Sequence, residues 1–383
     1  MTPTNLAAML RLCQGGTPTM NAMMRRAVIG TAAVSMALSM AACGKAGDDK
    51  KDSASAGDTK SIGLLLPENA SSVRYESFDK PFIEAKVKEL CGDCNVKYSN
   101  AEGSAAKQKQ QFDTLITQGV KVIILDAFDA ASTQSWVKEA AEKGVKVIAY
   151  DRLATGPVSA YVSFDNEKVG ELQGQALLDA LGAKAAESNI VMINGDEADP
   201  NAGKFKSGAH KVLDGKVKGV VYEQSGEWKP TVAGQKIGAA ITQLGKDGFQ
   251  AVYSANDGMA AAIITQLKSA GINVPVGGQD AGLDAIQRLV TGEQSYTIYK
   301  AYKPLADSAA ELAVALLQGK DVKAIASSTI DSDTDKAIPA KLLDPKVVTK
   351  ANIQDTVIAD KLYTVADICT GSYAAACATA GLK

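Results

Sequence analysis

The chain has 383 residues and a formal net charge of −2, a length that suits two domains, since single cores seldom grow beyond about 250–300 residues. Apolar residues make up 46% and charged residues 22%, an ordinary globular balance that excludes the basic footprint of a nucleic-acid binder and any polyanionic tail. A single histidine, His210, excludes His-based triads and multi-histidine metal sites, and no metal or cofactor is expected.

Residues 1–60 do not read as fold. Arg25 and Arg26 precede an apolar run over 27–42, which ends in Met40-Ala41-Ala42-Cys43-Gly44. A basic start, a short apolar centre and small residues before the cut describe a secretory signal. The run is shorter than the roughly 20 residues a spanning helix needs. The small residues before Cys43 resemble a bacterial lipobox, in which the cysteine becomes the lipidated N-terminus, although Met40 stands where that pattern prefers Leu. An ordinary cleaved signal or a weak anchor is the alternative. Met20, Met23 and Met24 are candidate starts. Residues 44–60 are small, polar and charged, the composition of a flexible tether.

From residue 61 the pattern alternates strand and helix. Strands are predicted over 62–66, 95–98, 120–125, 145–150 and 161–164, then over 189–193, 217–222, 251–254, 274–277 and 295–299. Helices are predicted over 82–90, 108–118, 133–142 and 230–244, with Asp165 as the N-cap of another. The alternation implies parallel sheets flanked by helices, an α/β fold of two similar lobes separated by the crossover at 144–175.

Four cysteines lie beyond Cys43, and an even count in an exported protein favours two local disulfides, Cys91–Cys94 and Cys369–Cys377. A redox role for Cys91-Gly92-Asp93-Cys94 is the alternative. It needs a helix N-terminus to lower the thiol pKa, whereas this pair follows a helix.

Ligands of open parallel sheets bind beyond the carboxyl ends of the strands. The first lobe places Glu68, Asn69, Arg74, Tyr75, Asp126, Phe128, Asp151 and Arg152 there. The second places Asn194, Asp196, Asp199, Asn201, Glu227, Trp228, Asn256, Asp257, Asp280 and Lys300. Planar Asp, Asn and Arg ends satisfy hydroxyls in pairs, and aromatic rings cover a face of C–H groups, so this inventory suits a neutral polyol. The plain alternatives are helix caps for the Asp and Asn residues and packing between lobes for Trp228. In the Asn256-Asp257 pair, Asp257 is expected to cap the next helix and Asn256 to reach the ligand. Residues 331–335 (DSDTD) begin like a calcium loop but lack Gly at the sixth position and Glu at the twelfth, and read as a solvated hinge loop.

With these residues in view, the chain resembles the D-xylose-binding group of the ribose/galactose-type periplasmic binding proteins, which serve bacterial sugar ABC importers. The matching segments are AYDR (149–152), SFDNEKVGELQ (163–173), Asn256-Asp257, GQDA (278–281), TIYK (297–300), IPAKLL (338–343) and NIQDTVI (352–358), and the likeness covers about residues 62–360. It implies sugar-binding roles for Arg74, Asp151, Arg152, Asn201, Trp228, Asn256, Asp280 and Lys300. Tyr75, also assigned to the site, stands where xylose-binding members carry Trp, which leaves xylose, glucose, arabinose and galactose open.

The resemblance also implies a type I architecture with three hinge crossings, near Tyr161, near Thr297 and within 328–336. The first lobe is then 61–161 plus 298–327, and the second 162–297 plus 328–383 with a disulfide-closed tail. The implied protein is not an enzyme. It is a monomeric lipoprotein on the outer face of the cytoplasmic membrane, closing on a monosaccharide for an ABC permease and contacting no nucleic acid. A sugar-sensing receptor for chemotaxis or a two-component system is the alternative. An Asp151–Asp280 carboxylate pair of an enzyme is disfavoured, because Arg152 and Lys300 would hold both acids ionised.

Overall fold

The computed structural model describes residues 60–382. The expected secretory signal, the expected lipidation site Cys43 and the expected tether up to residue 59 lie outside the described residues. The first series of elements is β1 (Ser61–Leu66), α1 (Lys80–Leu90), β2 (Asn95–Asn100), α2 (Ala105–Thr117), β3 (Val122–Leu125), α3 (Gln134–Glu142), β4 (Lys146–Tyr150) and β5 (Ala160–Phe164). The second is α4 (Asn166–Leu181), β6 (Asn189–Asn194), α5 (Pro200–Leu213), β7 (Gly219–Ser225), α6 (Pro230–Leu244), β8 (Ala251–Ser254), α7 (Asp257–Ala270) and α8 (Leu283–Thr291). The chain closes with β9 (Thr297–Tyr299), α9 (Tyr302–Leu317), β10 (Ser328–Ile330), β11 (Ile338–Leu343), β12 (Lys346–Val348), α10 (Val365–Ile368) and α11 (Ala374–Thr379).

The first sheet has the order β10-β11-β5-β4-β3-β1-β2, parallel except for the β10–β11 pair. Its central strands are continuous apolar runs, such as Val122 to Leu125, because helices cover both faces and no side of the strand meets water. The second sheet, β7-β6-β8, is parallel too and is extended by a bridge between Val252 and Val276. A short antiparallel pair, β12–β9, stands beside it. Asp165 caps α4 as expected, its side chain accepting from the Lys168 amide.

The last hinge crossing differs from the one expected. All of β5 belongs to the first sheet, so the chain leaves that lobe after Phe164, three residues beyond Tyr161. β11 pairs with β5 in parallel register, Ala340 opposite Tyr161 and Leu343 opposite Phe164. Residues 328–343, expected in the second lobe, therefore belong to the first. The physical reason is the edge of β5, whose free amides and carbonyls would otherwise be a bare pairing template. The last crossing then falls between β11 and β12. Another lies between β9 and α9, since α9 packs against α1, β3, β4 and β5.

Cys91–Cys94 and Cys369–Cys377 are both bonded. Cys91 is the C-cap of α1, and β2 begins at Asn95, so the first pair sits at a helix C-terminus. The tail shares a core with α8, built from Ile286, Leu289, Val357, Ile368 and Cys377. Among the described residues, no helix is long and apolar enough to cross a membrane.

Candidate functional site

Strand order reverses between β1 and β3 in the first sheet and between β6 and β8 in the second, and such reversals open a crevice at the carboxyl ends of the strands. The loops that leave those ends meet around a narrow cavity of about 30 Å³. Arg74, Tyr75, Asp151 and Arg152 line it from one side, and Asn201, Trp228, Asn256, Asp280 and Lys300 from the other. All nine residues singled out by the sequence are thus brought together, and none is more than 9% exposed.

Each is held by its neighbours. Arg74 sends Nε to Asp79 Oδ2 at 2.7 Å and Nη2 to Asp79 Oδ1 at 3.2 Å, leaving Nη1 for Asp151 Oδ2. Its guanidinium carbon lies 4.9 Å from the centre of the Tyr302 ring. Arg152 Nε lies 3.1 Å from Asp199 Oδ2 and 3.7 Å from Asp126 Oδ1. Asn201 donates to Asp151 Oδ1 at 2.9 Å and accepts from Asn166 at 2.8 Å. Lys300 Nζ lies 3.0 Å from Asp280 Oδ1, without hydrogen-bond geometry. Contacts that join the two sides directly include Asn201 to Asp151, Arg152 to Asp199, and Asn256 Nδ2 to the Ser71 carbonyl at 3.3 Å. The lobes are closed on each other.

The backbone is constrained here as well. Asp151 (φ 57°), Glu227 (φ 55°), Trp228 (φ 56°), Asp280 (φ 98°) and Ala281 (φ 53°) all occupy the left-handed region, where a non-glycine residue costs of order 1–3 kcal/mol. Asp151 is fixed in it by its amide, which donates to Val162, and by its carbonyl, which accepts from Tyr161 and Ser163. Trp228 needs a glycine partner: a Cβ on Gly195 would lie 2.1 Å from the indole ring.

Charge and burial compete across the cavity. Burial works against both guanidiniums, yet Asp79 and Asp151 raise the Arg74 pKa, and Asp199 leads the groups that raise Arg152. Burial likewise pushes Asp151 up, but Arg74, Lys300 and Arg152 outweigh it and hold the carboxyl below its ordinary range. For Asp79, Asp126 and Asp199 burial wins and the pKa is raised. Three buried polar atoms of residues lining the cavity have no hydrogen-bond partner: Trp228 Nε1, a donor, and Gln279 Oε1 and Asp280 Oδ1, both acceptors. Buried polar groups left unpaired are costly. The Trp228 donor and the Gln279 acceptor, with Asp280 Oδ1 facing only Lys300, match a neutral molecule rich in hydroxyls.

The family described as "Periplasmic binding protein domain" matches residues 62–321. The chain belongs to the periplasmic binding protein family. The D-xylose-binding periplasmic protein of Haemophilus influenzae is 36% identical over 313 residues, 79% of this chain and 90% of that protein. Its namesake in Escherichia coli is 36% identical over 316 residues, 80% of this chain and 92% of that one. Among solved structures, a carbohydrate-transporter solute-binding protein from Chloroflexus aurantiacus in complex with D-glucose superposes with a TM-score of 0.72 at 28% identity, covering 80% of this chain and 97% of its own. This periplasmic binding protein is accordingly a type I receptor, exported, and not an enzyme.

Sequence reasoning did not single out Ser71, Ser72, Gln279 or Phe205, which line the same cavity. Phe205 follows Asn201 by four residues on α5, one helical turn, and that spacing was the available signal. Its ring meets Trp228 edge-on at 6.3 Å. Asp79, the anchor of Arg74, closes the wide helical turn Tyr75–Asp79 and also accepts from Tyr150 at 2.5 Å. The division expected of Asn256 and Asp257 holds for the cavity, which Asn256 lines, but not for the cap. Asn256 Oδ1 caps α7 by accepting from the Met259 amide, while buried Asp257 accepts from Gln294, Thr297 and Gly282. A residue in extended backbone one position earlier has the geometry an N-cap needs. Glu68, Asn69, Phe128, Asp196 and Glu227 line a neighbouring chamber, and Asp126 is buried behind Arg152.

Proposed function

We propose that this protein is a lipid-anchored, extracytoplasmic receptor that closes on one aldose, D-xylose or a close relative, and presents it to an ABC permease. The observation that carries the reading is the closed cavity itself, with its groups of both signs and the unpaired Trp228 donor and Gln279 acceptor. A bound anion would meet Asp151, Asp280 and Asp199, and a bound cation would meet Arg74, Arg152 and Lys300, so a neutral ligand is favoured.

In this reading Arg152, Asp151, Asn256, Asp280 and Lys300 hydrogen-bond sugar hydroxyls, while Trp228 and Phe205 cover its C–H face. Arg74 and Asn201 are already engaged with Asp151 and hold its carboxylate toward the cavity. Tyr75 supplies an edge of the pocket and sets which aldose fits. The sugar touches both lobes and so favours the closed form by its differential affinity for it. The relatives named for D-xylose support that sugar class, and the basic and apolar run before Cys43 supports anchoring through that cysteine. A monomer suffices, because one chain contributes every lining residue.

Titration calorimetry of the purified protein against D-xylose, D-glucose, L-arabinose and D-galactose tests the proposal. Saturable heat with one or more of them is expected, and no heat with any pentose or hexose would overturn it. Loss of lipid labelling in Cys43→Ser, and its presence in the parent, tests the anchor separately.

A further inference from the structure

Beside the inner cavity lies a second chamber of about 290 Å³, lined by Glu68, Ser71, Phe128, Arg152, Trp228 and Lys229 among others. Ser71, Arg152 and Trp228 line both spaces, so the two adjoin at those residues. The chamber coexists with closed lobes: the Asn201–Asp151, Arg152–Asp199 and Asn256–Ser71 contacts are all made while it stands open. Anything placed there does not hinder closure on the inner site.

Its chemistry differs from that of the inner cavity. The charged groups around its mouth are largely occupied with each other, Lys229 with Glu227 at 3.0 Å and Glu102 with Lys107 at 2.6 Å. Glu68 is held by the Ser71 amide at 2.8 Å and by the Ser71 hydroxyl. Asp196 accepts from the Ala198 amide at 3.0 Å, Asn69 from Asn100 at 3.1 Å, and Arg152 is turned to Asp199. The apolar part of the lining is Phe128, half-buried just beyond β3, and the shared Trp228. Ordinary small-molecule sites begin at roughly 300 Å³, so the chamber stands at the lower end of that range and suits one substituent, not a whole second ligand. Aromatic rings with few free charges suit a sugar face or an aryl group.

Resting on the sugar-receptor reading above, we infer that the protein also takes glycosides. One pyranose occupies the inner cavity, and the substituent on the hydroxyl that faces Ser71, Arg152 and Trp228 lies in the outer chamber against Phe128. The ligand class is then wider than free monosaccharides and includes sugars carrying an aryl group or a second ring. Phe128 acts on the substituent alone.

The test compares free D-xylose and D-glucose with their 4-nitrophenyl α- and β-glycosides by calorimetry, using the full exported chain and its Phe128→Ala variant. At least one glycoside is expected to bind within about tenfold of its free sugar. Phe128→Ala is expected to weaken that glycoside about tenfold, the scale of one aromatic contact, and to leave the free sugar unchanged. Free sugar that binds while every glycoside fails overturns the outer site and spares the sugar reading. Failure of all probes overturns both. Equal weakening of sugar and glycoside in the variant also counts against the inference. Since the comparison of sugar with glycoside uses the parent protein, poor folding of the variant cannot rescue it.

Discussion

Arg152 uses its planar fork in several directions at once, toward Asp199, the Ala127 carbonyl and the Tyr75 hydroxyl. A lysine keeps the charge but not the fork. Arg152→Lys is therefore expected to lower sugar affinity by at least about tenfold in calorimetry, and an unchanged affinity would mean that the guanidinium does not contact the sugar. Gly195→Ala tests the seat of Trp228: the new methyl would press on the indole, and a ring displaced from the cavity is expected to cost a similar factor, about tenfold, in affinity.

Buried acids give the residue scale a pH signature. Burial leads the causes that raise Asp79, Asp126, Asp199 and Asp257, and for Asp257, with Asp280 adding and Arg288 opposing, the pKa reaches about 7. A raised native value means that the folded state binds the proton more tightly than the unfolded chain. The resulting stability is present below the unfolded value of about 4 and is lost as pH rises through about 7. Asp151 is lowered and works oppositely, its contribution being lost only in stronger acid. The thermal midpoint of the unliganded protein is expected to fall between about pH 5 and about pH 8, and to fall less in Asp257→Asn. A midpoint that rises over that interval contradicts the assignment.

At the scale of elements, α4 and α5 approach so closely that a Cβ on Gly170 would lie 2.0 Å from the Phe205 carbonyl oxygen, and one on Gly208 2.1 Å from that of Glu167. That contact matters to the site, because α5 carries Asn201 and Phe205 and α4 carries Asn166, which fixes Asn201. The C-terminal tail is closed by Cys369–Cys377 against α8. Removing that bond with Cys369→Ser and Cys377→Ser is expected to cost about 2 kcal/mol in denaturant unfolding, the low end for a short loop. The Cys91–Cys94 loop is shorter still and is expected to contribute less. Buried parallel strands were legible in the sequence because their apolar runs are unbroken, as at Val122 to Leu125. The partner of β5 was not. β11 is half-buried and carries Lys341, so nothing local reveals that it completes the first sheet.

For the whole molecule, the gathering of Arg74, Asp151, Arg152, Trp228, Asn256 and Asp280 was legible because each follows a strand, and doubly wound sheets send all such loops to one crevice. Phe205 and Asp79 escaped because they sit within helical turns and reach the site by packing geometry, which strand position does not reveal. Closure links the site to stability. A sugar at a hundred times its dissociation constant is expected to stabilise the closed form by about 2.7 kcal/mol, measured as a rise in thermal midpoint. No shift at that concentration would mean that the ligand does not favour the folded, closed state.

The most direct test of a sugar shared between the lobes is a crystal structure of the protein grown with whichever aldose saturates it. The account predicts one pyranose enclosed among Arg152, Trp228, Asn256 and Asp280, with hydroxyls at Trp228 Nε1, Gln279 Oε1 and Asp280 Oδ1. Sugar density elsewhere on the molecule, or an inner cavity filled only by water under saturating conditions, would contradict it.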